Sequence, residues 1–412
     1  ALAGVSCWRT AVANSSPAMS GAALFDDVKY YDGLGEHRTG SATDLKTSEW
    51  LFRRYAEAGF APRFQSFDVP LFEPSDVRIS GTRIRIEGFP LWPPVETQGD
   101  GISARVSDST LDAQGCIAIV RLPFHRSGSL SAPGFADAIH GAVVAGAAAV
   151  IAVTEGPAGE LIALNVAFDQ PPWPVPVMLV PGREAGSVAS LIGKTARFVL
   201  RGRRTPAAKT HNVIATLKRG PRWLVISTPQ SGWFHCAGER GPGVALSLGL
   251  ARALAGLPSD KSLMFVATTA HEFNGHGGEQ FLNAFAPPPA DVDLWFHLGA
   301  GIATYDWDLS GAAPRKVAGP DSERYLGATP DLLPLLQNTF AGQPGIERPF
   351  DAKARESAGE LTMFIRHGYA PCAGIFAGHD YHHTRADRAR TTGPELLEPV
   401  ANAVFDVVRR YL

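Results

Sequence analysis

Apolar residues along this chain fall into runs whose lengths match buried strands and buried helices. The runs at 212–217, 223–228 and 262–269 have the length of strands and end in polar residues, glycine or proline. The run at 243–255 is longer and rich in alanine and leucine, which predicts a buried helix. Strands that alternate with helices indicate an α/β fold with a mostly parallel sheet covered on both faces. Further strands are predicted at 294–298 and 370–377, and a closing amphipathic helix at 394–412.

The N-terminal part carries one clear helix signal. A polar start at 41–44 precedes 45–58, where an apolar stripe that includes Trp50 and Leu51 predicts an amphipathic helix. The segment 64–69 then alternates between apolar and polar residues, which predicts a strand.

The pattern changes to short strands and turns in the middle of the chain. A helix of small residues is predicted at 135–149, followed by a strand at 150–153. Because this part has strands and helices of its own, we interpret 71–205 as an inserted α+β domain. The segments 1–70 and 206–412 then form the main α/β domain.

Composition narrows the classes of function. The 412 residues are enough for two domains, and 45% hydrophobic with 19% charged residues is an ordinary globular composition. The net charge of −2 and the lack of a long basic run give no support for binding nucleic acid or an anionic membrane. The longest apolar stretch, 141–153, is too short to span a bilayer. The expected ligand is a small molecule or a peptide, and homo-oligomer formation stays open.

The four cysteines are scattered and form no CxxC pair. This spacing argues against a thiolate zinc site and a disulfide framework, and it favours a reducing, cytoplasmic location. The sequence begins at Ala1 rather than at a methionine, so we expect that a preceding segment has been removed. If that segment was a signal peptide, the protein is exported instead.

The pair His271-Glu272 is the most informative polar feature of the chain. It follows the apolar run 262–270 directly and precedes a glycine-rich turn at 275–278 that leads into a helix. Open α/β sheets bind ligands at the carboxyl ends of their strands. An imidazole beside a carboxylate at such a strand end therefore predicts a functional site.

The order of motifs resembles metallopeptidase family 28, the co-catalytic zinc aminopeptidases that also include glutamate carboxypeptidase and glutaminyl cyclase. The main-domain motifs are RTGS, HNVIATL, HEFNGHGGEQFL and YHHTRAD, in the family's order. The segments GCIAIVRL, ADAIHGAVVAGAAAVIAV and VPVMLVP resemble the protease-associated domain that many members carry as an insert. The resemblance implies a zinc-aminopeptidase-like α/β/α sandwich with a mostly parallel central sheet and an inserted α+β protease-associated domain.

Several site positions depart from the family pattern. The family has His-x-Asp after the strand that matches WLVIST, and Pro229 and Ser231 stand at those two positions here. Its bridging Asp corresponds to Glu239. Its Glu-Glu pair, a general base followed by a metal ligand, corresponds to His271 and Glu272. Because the side chain of proline has no ligand atom, we expect one of the family's two metal positions to be lost.

The resemblance implies that the other metal position is retained. Glu239, Glu272 and His383 correspond to its ligands, and His297, at the position of a family Asp, is a candidate fourth ligand. Carboxylate oxygens and imidazole nitrogens are suitable ligands for Zn²⁺, and three protein ligands leave a coordination position for a water. We therefore expect one zinc ion. His271 would replace the usual glutamate base, because an imidazole with a pKa of about 6.5 exchanges protons at neutral pH.

Other polar residues are further candidates. His235 is a candidate second catalytic residue or replacement ligand, and Ser231 or Cys236 a candidate nucleophile with a histidine as base. On an extended segment only one of His382 and His383 points inward, and the family match favours His383. The candidate substrate-binding residues are Trp233, Glu360 and His379.

Three functions follow as hypotheses. The leading one is a metal-dependent hydrolase of an amide, peptide-like bond with a remodelled, mononuclear centre. The second is a metal-free enzyme on the same fold that uses His271, His235 and a carboxylate for acid–base chemistry. The third is a binding module that has the fold without catalysis.

Overall fold

The computed structural model describes residues 19–108, 113–166, 172–311, 313–357 and 359–412. The helices of these residues are α1 (Gly21–Leu34), α2 (Ala42–Glu57), α3 (Phe135–Val144), α4 (Ala185–Ala189), α5 (Gly241–Ala255), α6 (His276–Ala284), α7 (Leu333–Thr339), α8 (Glu360–Arg366) and α9 (Pro394–Arg409). The strands are β1 (Ala61–Ser80), β2 (Arg85–Glu87), β3 (Phe89–Pro90), β4 (Ile102–Ser107), β5 (Ile117–Pro123), β6 (Ala149–Glu155), β7 (Val177–Pro181), β8 (Thr195–Leu217), β9 (Trp223–Pro229), β10 (Ser262–Thr268), β11 (Val292–Leu298), β12 (Tyr305–Asp308), β13 (Arg315–Pro320), β14 (Tyr325–Ala328), β15 (Phe350–Asp351) and β16 (Cys372–Phe376).

Four neighbouring parallel strands form the centre of the main sheet. Strand β16 pairs with β11, β11 with β9, and β9 with β10, all in parallel, and β8 joins β10 antiparallel. Strands β14 and β15 continue the sheet beyond β16, while β4, β5, β6, β7 and β3 continue it beyond β8. The predicted α/β class with a mostly parallel central sheet is confirmed.

Alternate side chains of the central strands enter two different cores. In β10, Leu263 and Phe265 belong to the core that also contains residues of α1, α2, α5 and α9. Met264 and Val266 belong to a second core, with residues of α6 and α8. Because successive strand residues point to opposite faces, both faces of the sheet are covered, and the layers are those of an α/β/α sandwich.

The longest strands, β1 and β8, are paired antiparallel over most of their length. Their register runs from Ala61 opposite Thr216 to Ser80 opposite Arg197. The sequence predicted separate short strands here, with domain boundaries at 70/71 and 205/206, and the separation into short strands is wrong. Pro70 lies where the pairing shifts register, between Val69 and Leu71, and Pro74 borders a second shift, between Pro74 and Asp76. Such irregularities in the pairing tolerate a proline.

The middle of the chain has a hydrophobic core of its own. That core gathers residues between Val69 and Leu200, and Trp233, Phe234 and Phe273 of the main part join it. The predicted helix at 135–149 ends earlier, at Val144, because the chain turns and enters β6. The assignment of 71–205 as a protease-associated domain stays a prediction.

Helix α1 is an element that the sequence analysis did not predict. Ser20 caps it by accepting a hydrogen bond from the backbone N–H of Ala23 at 3.3 Å. Its buried face, with Leu24, Val28 and Tyr31, packs against α5 and α9. Within the described ranges, none of the helices combines the length and the apolar character that crossing a membrane requires.

Candidate metal and catalytic site

The polar residues singled out in the sequence gather where the central parallel strands end. His271 and Glu272 follow β10, and His297 lies near the end of β11. His382 and His383 belong to the loop after β16. Because these strands are parallel neighbours, their carboxyl ends meet at one edge of the sheet, as the strand-end prediction expected.

A cavity of about 560 Å³ opens at this edge. His271, His297 and Glu360 line one part of it, and His382 and His383 line another. The middle of the chain contributes further polar residues to the wall: Arg126, Ser127, Ser129, Ser131 and Asn165. The cavity is therefore built from both parts of the chain.

Glu239 is completely buried behind the two histidines. Its Oε1 lies 2.7 Å from Nη2 of Arg240 and 3.2 Å from Nε2 of His383, and its Oε2 lies 3.9 Å from Nδ1 of His382. Burial by itself raises the pKa of the Glu239 carboxyl, but the neighbouring Arg240 guanidinium outweighs burial and holds the pKa well below its usual value. Glu239 is thus a buried carboxylate.

His383 is held by the main chain of the middle segment. Its Nδ1 lies 3.0 Å from the carbonyl oxygens of both Gly128 and Ala163. Carbonyl oxygens only accept hydrogen bonds, so these contacts assign the proton to Nδ1. In the neutral ring, Nε2 then presents a lone pair toward Glu239, which is the arrangement of a metal-binding histidine.

Both histidines of the YHHTRAD motif point toward Glu239, although the sequence analysis expected only one to do so. The loop turns here rather than running extended, because His383 adopts a left-handed φ of 58°. The two rings stack with their centroids 3.9 Å apart. Burial and then neighbouring His383 hold the pKa of His382 well below its usual value, so His382 is neutral and able to act as a ligand.

The ligand atoms of Glu239, His382 and His383 lie within 4.8 Å of one another. Both oxygens of Glu239, Nδ1 of His382 and Nε2 of His383 are buried and form no hydrogen bond within the described part of the chain. Buried polar atoms are nearly always partnered, by protein, water or an ion. One carboxylate with two imidazoles fits Zn²⁺ and leaves a fourth position open.

Glu272 adjoins this group but has its own partners. Its Oε2 accepts hydrogen bonds from Ser231 Oγ at 2.8 Å and Thr39 Oγ1 at 3.1 Å. Its Oε1 is buried without a hydrogen bond and lies 3.7 Å from Nη2 of Arg240. Glu272 is therefore a neighbour of the Glu239 group, separated from Glu239 by a guanidinium.

Arg240 is a site residue that the sequence analysis missed. Its guanidinium is buried between Glu239 and Glu272, and its Nε donates a hydrogen bond to the carbonyl of Ser231 at 2.9 Å. Burial lowers the pKa of Arg240, but Glu239 and then Glu272 outweigh burial and raise it. The signal in the sequence was a basic residue at the start of an otherwise apolar helix, next to a candidate ligand.

His271 forms a pair with Glu360 across the cavity wall. Its Nδ1 lies 3.2 Å from Oε1 of Glu360, whose two oxygens also accept from Thr268 Oγ1 at 3.1 Å. Burial raises the pKa of Glu360, but the hydrogen bond from His271 outweighs burial and lowers it. Gly278 makes room for this carboxylate, since a Cβ there would lie 3.2 Å from its carboxyl carbon.

His297 lies on the His271 side of the cavity and outside the Glu239 group. Its Nδ1 is 2.8 Å from Ser227 Oγ, which accepts the indole N–H of Trp295 at the same distance. Burial lowers the pKa of His297 to about 4, so this ring is neutral at pH 7.

The sequence matches no protein-family model and no curated protein. Solved structures match nearly the whole chain. A zinc aminopeptidase from Bacillus subtilis has a TM-score of 0.75 and 15% identity, with 95% of each chain covered. A peptidase M28 precursor from Shewanella amazonensis has a TM-score of 0.74 and 18% identity, covering 93% of this chain and 91% of that one. An aminopeptidase from Aneurinibacillus sp. strain AM-1 has a TM-score of 0.67 and 19% identity, covering 95% and 94%.

The chain has a zinc-aminopeptidase-like fold. At these identities the likeness shows the fold alone, and the chemistry has to be argued from the side chains present.

Besides Glu239 and Glu272, three predicted site residues of this zinc-aminopeptidase-like fold lie outside the cavity lining: His235, Trp233 and His379. His235 pairs through Nδ1 with the carboxylate of Asp32 at 3.0 Å, and this contact raises the pKa of His235. Trp233 packs among buried aromatic rings and donates its indole N–H to Asn165 Oδ1 at 2.9 Å. His379 is buried with Nε2 3.5 Å from Oδ2 of Asp387.

Asp387 was not identified from the sequence, and it supports the loop that carries Glu239. Its oxygens accept the backbone N–H groups of Gly238 at 2.8 Å and Glu239 at 2.9 Å. Gly238 permits this approach, because a Cβ there would lie 2.7 Å from Oδ1 of Asp387. The last Asp of YHHTRAD therefore positions the backbone of Glu239.

The two candidate nucleophiles do not contact a histidine base within the described residues. Ser231 donates its hydroxyl to Glu272, as described above. Burial and then Glu239 raise the pKa of the Cys236 thiol well above its usual value, so the thiol stays protonated. Neither geometry is that of an activated nucleophile.

Proposed function

We propose that this protein is a metal-dependent hydrolase of amide, peptide-like bonds with one zinc ion held by Glu239, His382 and His383. The observation that carries the proposal is the convergence beside the cavity of buried ligand atoms of these residues that form no hydrogen bond within the described part of the chain. Relative to the ligand set drawn from the sequence, His382 replaces His297, and Glu272 is a carboxylate beside the centre.

A bound zinc ion would polarise the substrate carbonyl and increase the acidity of a coordinated water. Glu239 would supply a charged oxygen ligand. Asp387 keeps the backbone of Glu239 in place, because its carboxylate accepts hydrogen bonds from the N–H groups of Gly238 and Glu239. The positive charge of Arg240 balances the excess negative charge of Glu239 and Glu272. The guanidinium therefore offsets the repulsion between the two buried carboxylates.

His271 is the general base of the proposal, and Glu360 orients it. Glu360 is an ionised acceptor, so the shared proton lies on Nδ1 of His271 and leaves Nε2 to accept a proton in the cavity. His271 would take a proton from the attacking water and return it to the leaving amine. Thr268 fixes both oxygens of Glu360, which in turn limits rotation of the imidazole.

A specific observation favours a second candidate, a metal-free hydrolase. The guanidinium of Arg240 already lies against Glu239 and Glu272 and supplies a buried positive charge. In this candidate the His271 and Glu360 pair performs the acid–base chemistry without a Lewis acid.

Turnover before and after chelation distinguishes the two candidates. Purified protein would be assayed against a panel of aminoacyl and N-acyl anilides. The zinc proposal expects chelation to abolish hydrolysis and added zinc to restore it. It also expects His271→Ala to lower kcat by about 10²- to 10⁴-fold, which is the usual contribution of a general base. His367→Ala is the control, because His367 is exposed at the end of α8.

Two outcomes would count against these roles. Full activity in demonstrably zinc-free protein would contradict the zinc proposal and favour the metal-free hydrolase. An unchanged kcat in His271→Ala would remove His271 as the base in either candidate.

A further inference from the structure

We infer that the middle segment completes the metal centre, with the carbonyl groups of Gly128 and Ala163 fixing the tautomer and orientation of His383. This inference rests on the proposed zinc site and assigns a positioning role to two residues that lie far from it in sequence. The segment would then be part of the centre as well as a wall of the cavity.

The contacts at His383 are unusually restrictive. Two carbonyl oxygens approach one ring nitrogen at 3.0 Å each, and the ring is buried. Together they require a proton on Nδ1, so the neutral ring has its free nitrogen, Nε2, on the side of Glu239. In metal sites, such outer hydrogen bonds fix the ring and raise the basicity of the coordinating nitrogen.

The main chain of the same segment is docked on both sides of the centre. The N–H of Ala163 donates to the carbonyl of His383 at 3.0 Å, so the two residues bond reciprocally. The N–H of Val166 donates to the carbonyl of Glu272 at 3.0 Å. Arg126 donates from Nη1 to the carbonyl of Gly378 at 2.8 Å. Two loops of the site, the one after β10 and the one after β16, are therefore held by one segment.

Glycine is required at residue 128 for this approach. Gly128 has a φ of 52°, and a Cβ there would lie 2.4 Å from Nδ1 of His383. The nearest obstacle is a buried ring whose other nitrogen faces Glu239, so the ring would have to leave the position suited to the metal.

The chain offers a matched control for Gly128→Ala. Gly134 belongs to the same segment and also has a left-handed φ, 79°, but a Cβ there would meet no atom within 4 Å. Gly134→Ala thus introduces comparable backbone strain without touching His383. The two variants separate the contact with the ring from the strain of an alanine at positive φ.

Two measurements would be made on wild type and both variants. Long-range ¹H–¹⁵N NMR of metal-free protein reports the tautomer of His383. The signals of this ring are assigned as those that disappear in His383→Gln. Competition with a zinc chelator reports zinc affinity. We expect the Nδ1–H tautomer in wild type and Gly134→Ala. We expect loss of that tautomer in Gly128→Ala, with zinc affinity lowered about 10- to 100-fold, as for other residues that support metal ligands.

The outcomes separate this inference from the proposed function. An Nε2–H tautomer in metal-free wild type would overturn the inference, whether or not the variants fold. Equal losses of tautomer and affinity in Gly128→Ala and Gly134→Ala would also overturn it. A third result is that wild type has the Nδ1–H tautomer and only Gly128→Ala loses it, but neither wild type nor the variants bind zinc. In that case the positioning role of the two carbonyl groups stands and the zinc proposal fails.

Discussion

At the scale of single residues, Arg240 decides the charge balance of the buried site. Glu239 and Glu272 are both buried, and the guanidinium between them is the cation nearest to both. Removing one partner from a buried ion group leaves an uncompensated charge, which is strongly destabilising. A divalent cation bound by Glu239 would compensate part of that charge.

Arg240→Met is therefore expected to lower the free energy of unfolding by about 3–5 kcal/mol without zinc. Saturating zinc should restore more stability to this variant than it adds to wild type. Arg252→Met is the control, since Arg252 is partly exposed beside Asp27 and its removal should cost about 0–1 kcal/mol. Urea unfolding with and without zinc measures both. Equal losses in the two variants would contradict the assigned role of Arg240.

The sequence indicated some site residues and missed others for physical reasons. His271 and Glu272 were found because a strand end is visible in the hydrophobic pattern. His382 was set aside because an extended segment was assumed, whereas the positive φ of His383 turns both rings inward. Contacts such as Gly128 with His383 join residues 255 positions apart and leave no periodic signal.

At the scale of elements, His37 links α1 to α2 as a neutral buried residue. Its ring stacks on Tyr31 with centroids 3.7 Å apart and contacts Thr47 Oγ1 at 2.8 Å. Burial lowers the pKa of His37 to about 3. In the unfolded chain the pKa is about 6.5, so the unfolded state takes up a proton first as the pH falls. Stability from this residue is present above pH 6.5 and is lost toward pH 3.

His37→Gln should therefore make stability less sensitive to acid. Between pH 7.5 and 5.5, wild type should lose about 1.4 kcal/mol more of its free energy of unfolding than His37→Gln does. Urea unfolding at the two pH values is the measurement, and His367→Gln should keep the wild-type dependence because that ring is exposed. Identical pH dependence in wild type and His37→Gln would contradict the account.

Helices and strands were predictable from the sequence where a single hydrophobic pattern continues along the entire element. The central strands β9, β10 and β11 and helices α5 and α9 are apolar or amphipathic throughout and were predicted within a few residues. Strands β1 and β8 were predicted in pieces, because polar and proline residues interrupt their pattern while pairing between the two strands continues. Helix α1 depends on packing against α5 and α9, a tertiary contact that local propensity does not contain.

At the scale of the whole molecule, the site is assembled from loops that share one edge of the sheet and from the docked middle segment. The α/β sandwich brings His271, Glu239 and His383 to that edge although more than 140 residues separate the last two. The middle segment then supplies carbonyl groups and polar walls.

Anomalous diffraction at the zinc absorption edge, from crystals of zinc-loaded protein, tests the central claim most directly. We predict one strong peak within bonding distance of Glu239, His382 and His383, and no peak in matching crystals of Glu239→Gln. A zinc-loaded crystal without a peak at these residues, or with the peak unchanged in Glu239→Gln, would contradict it.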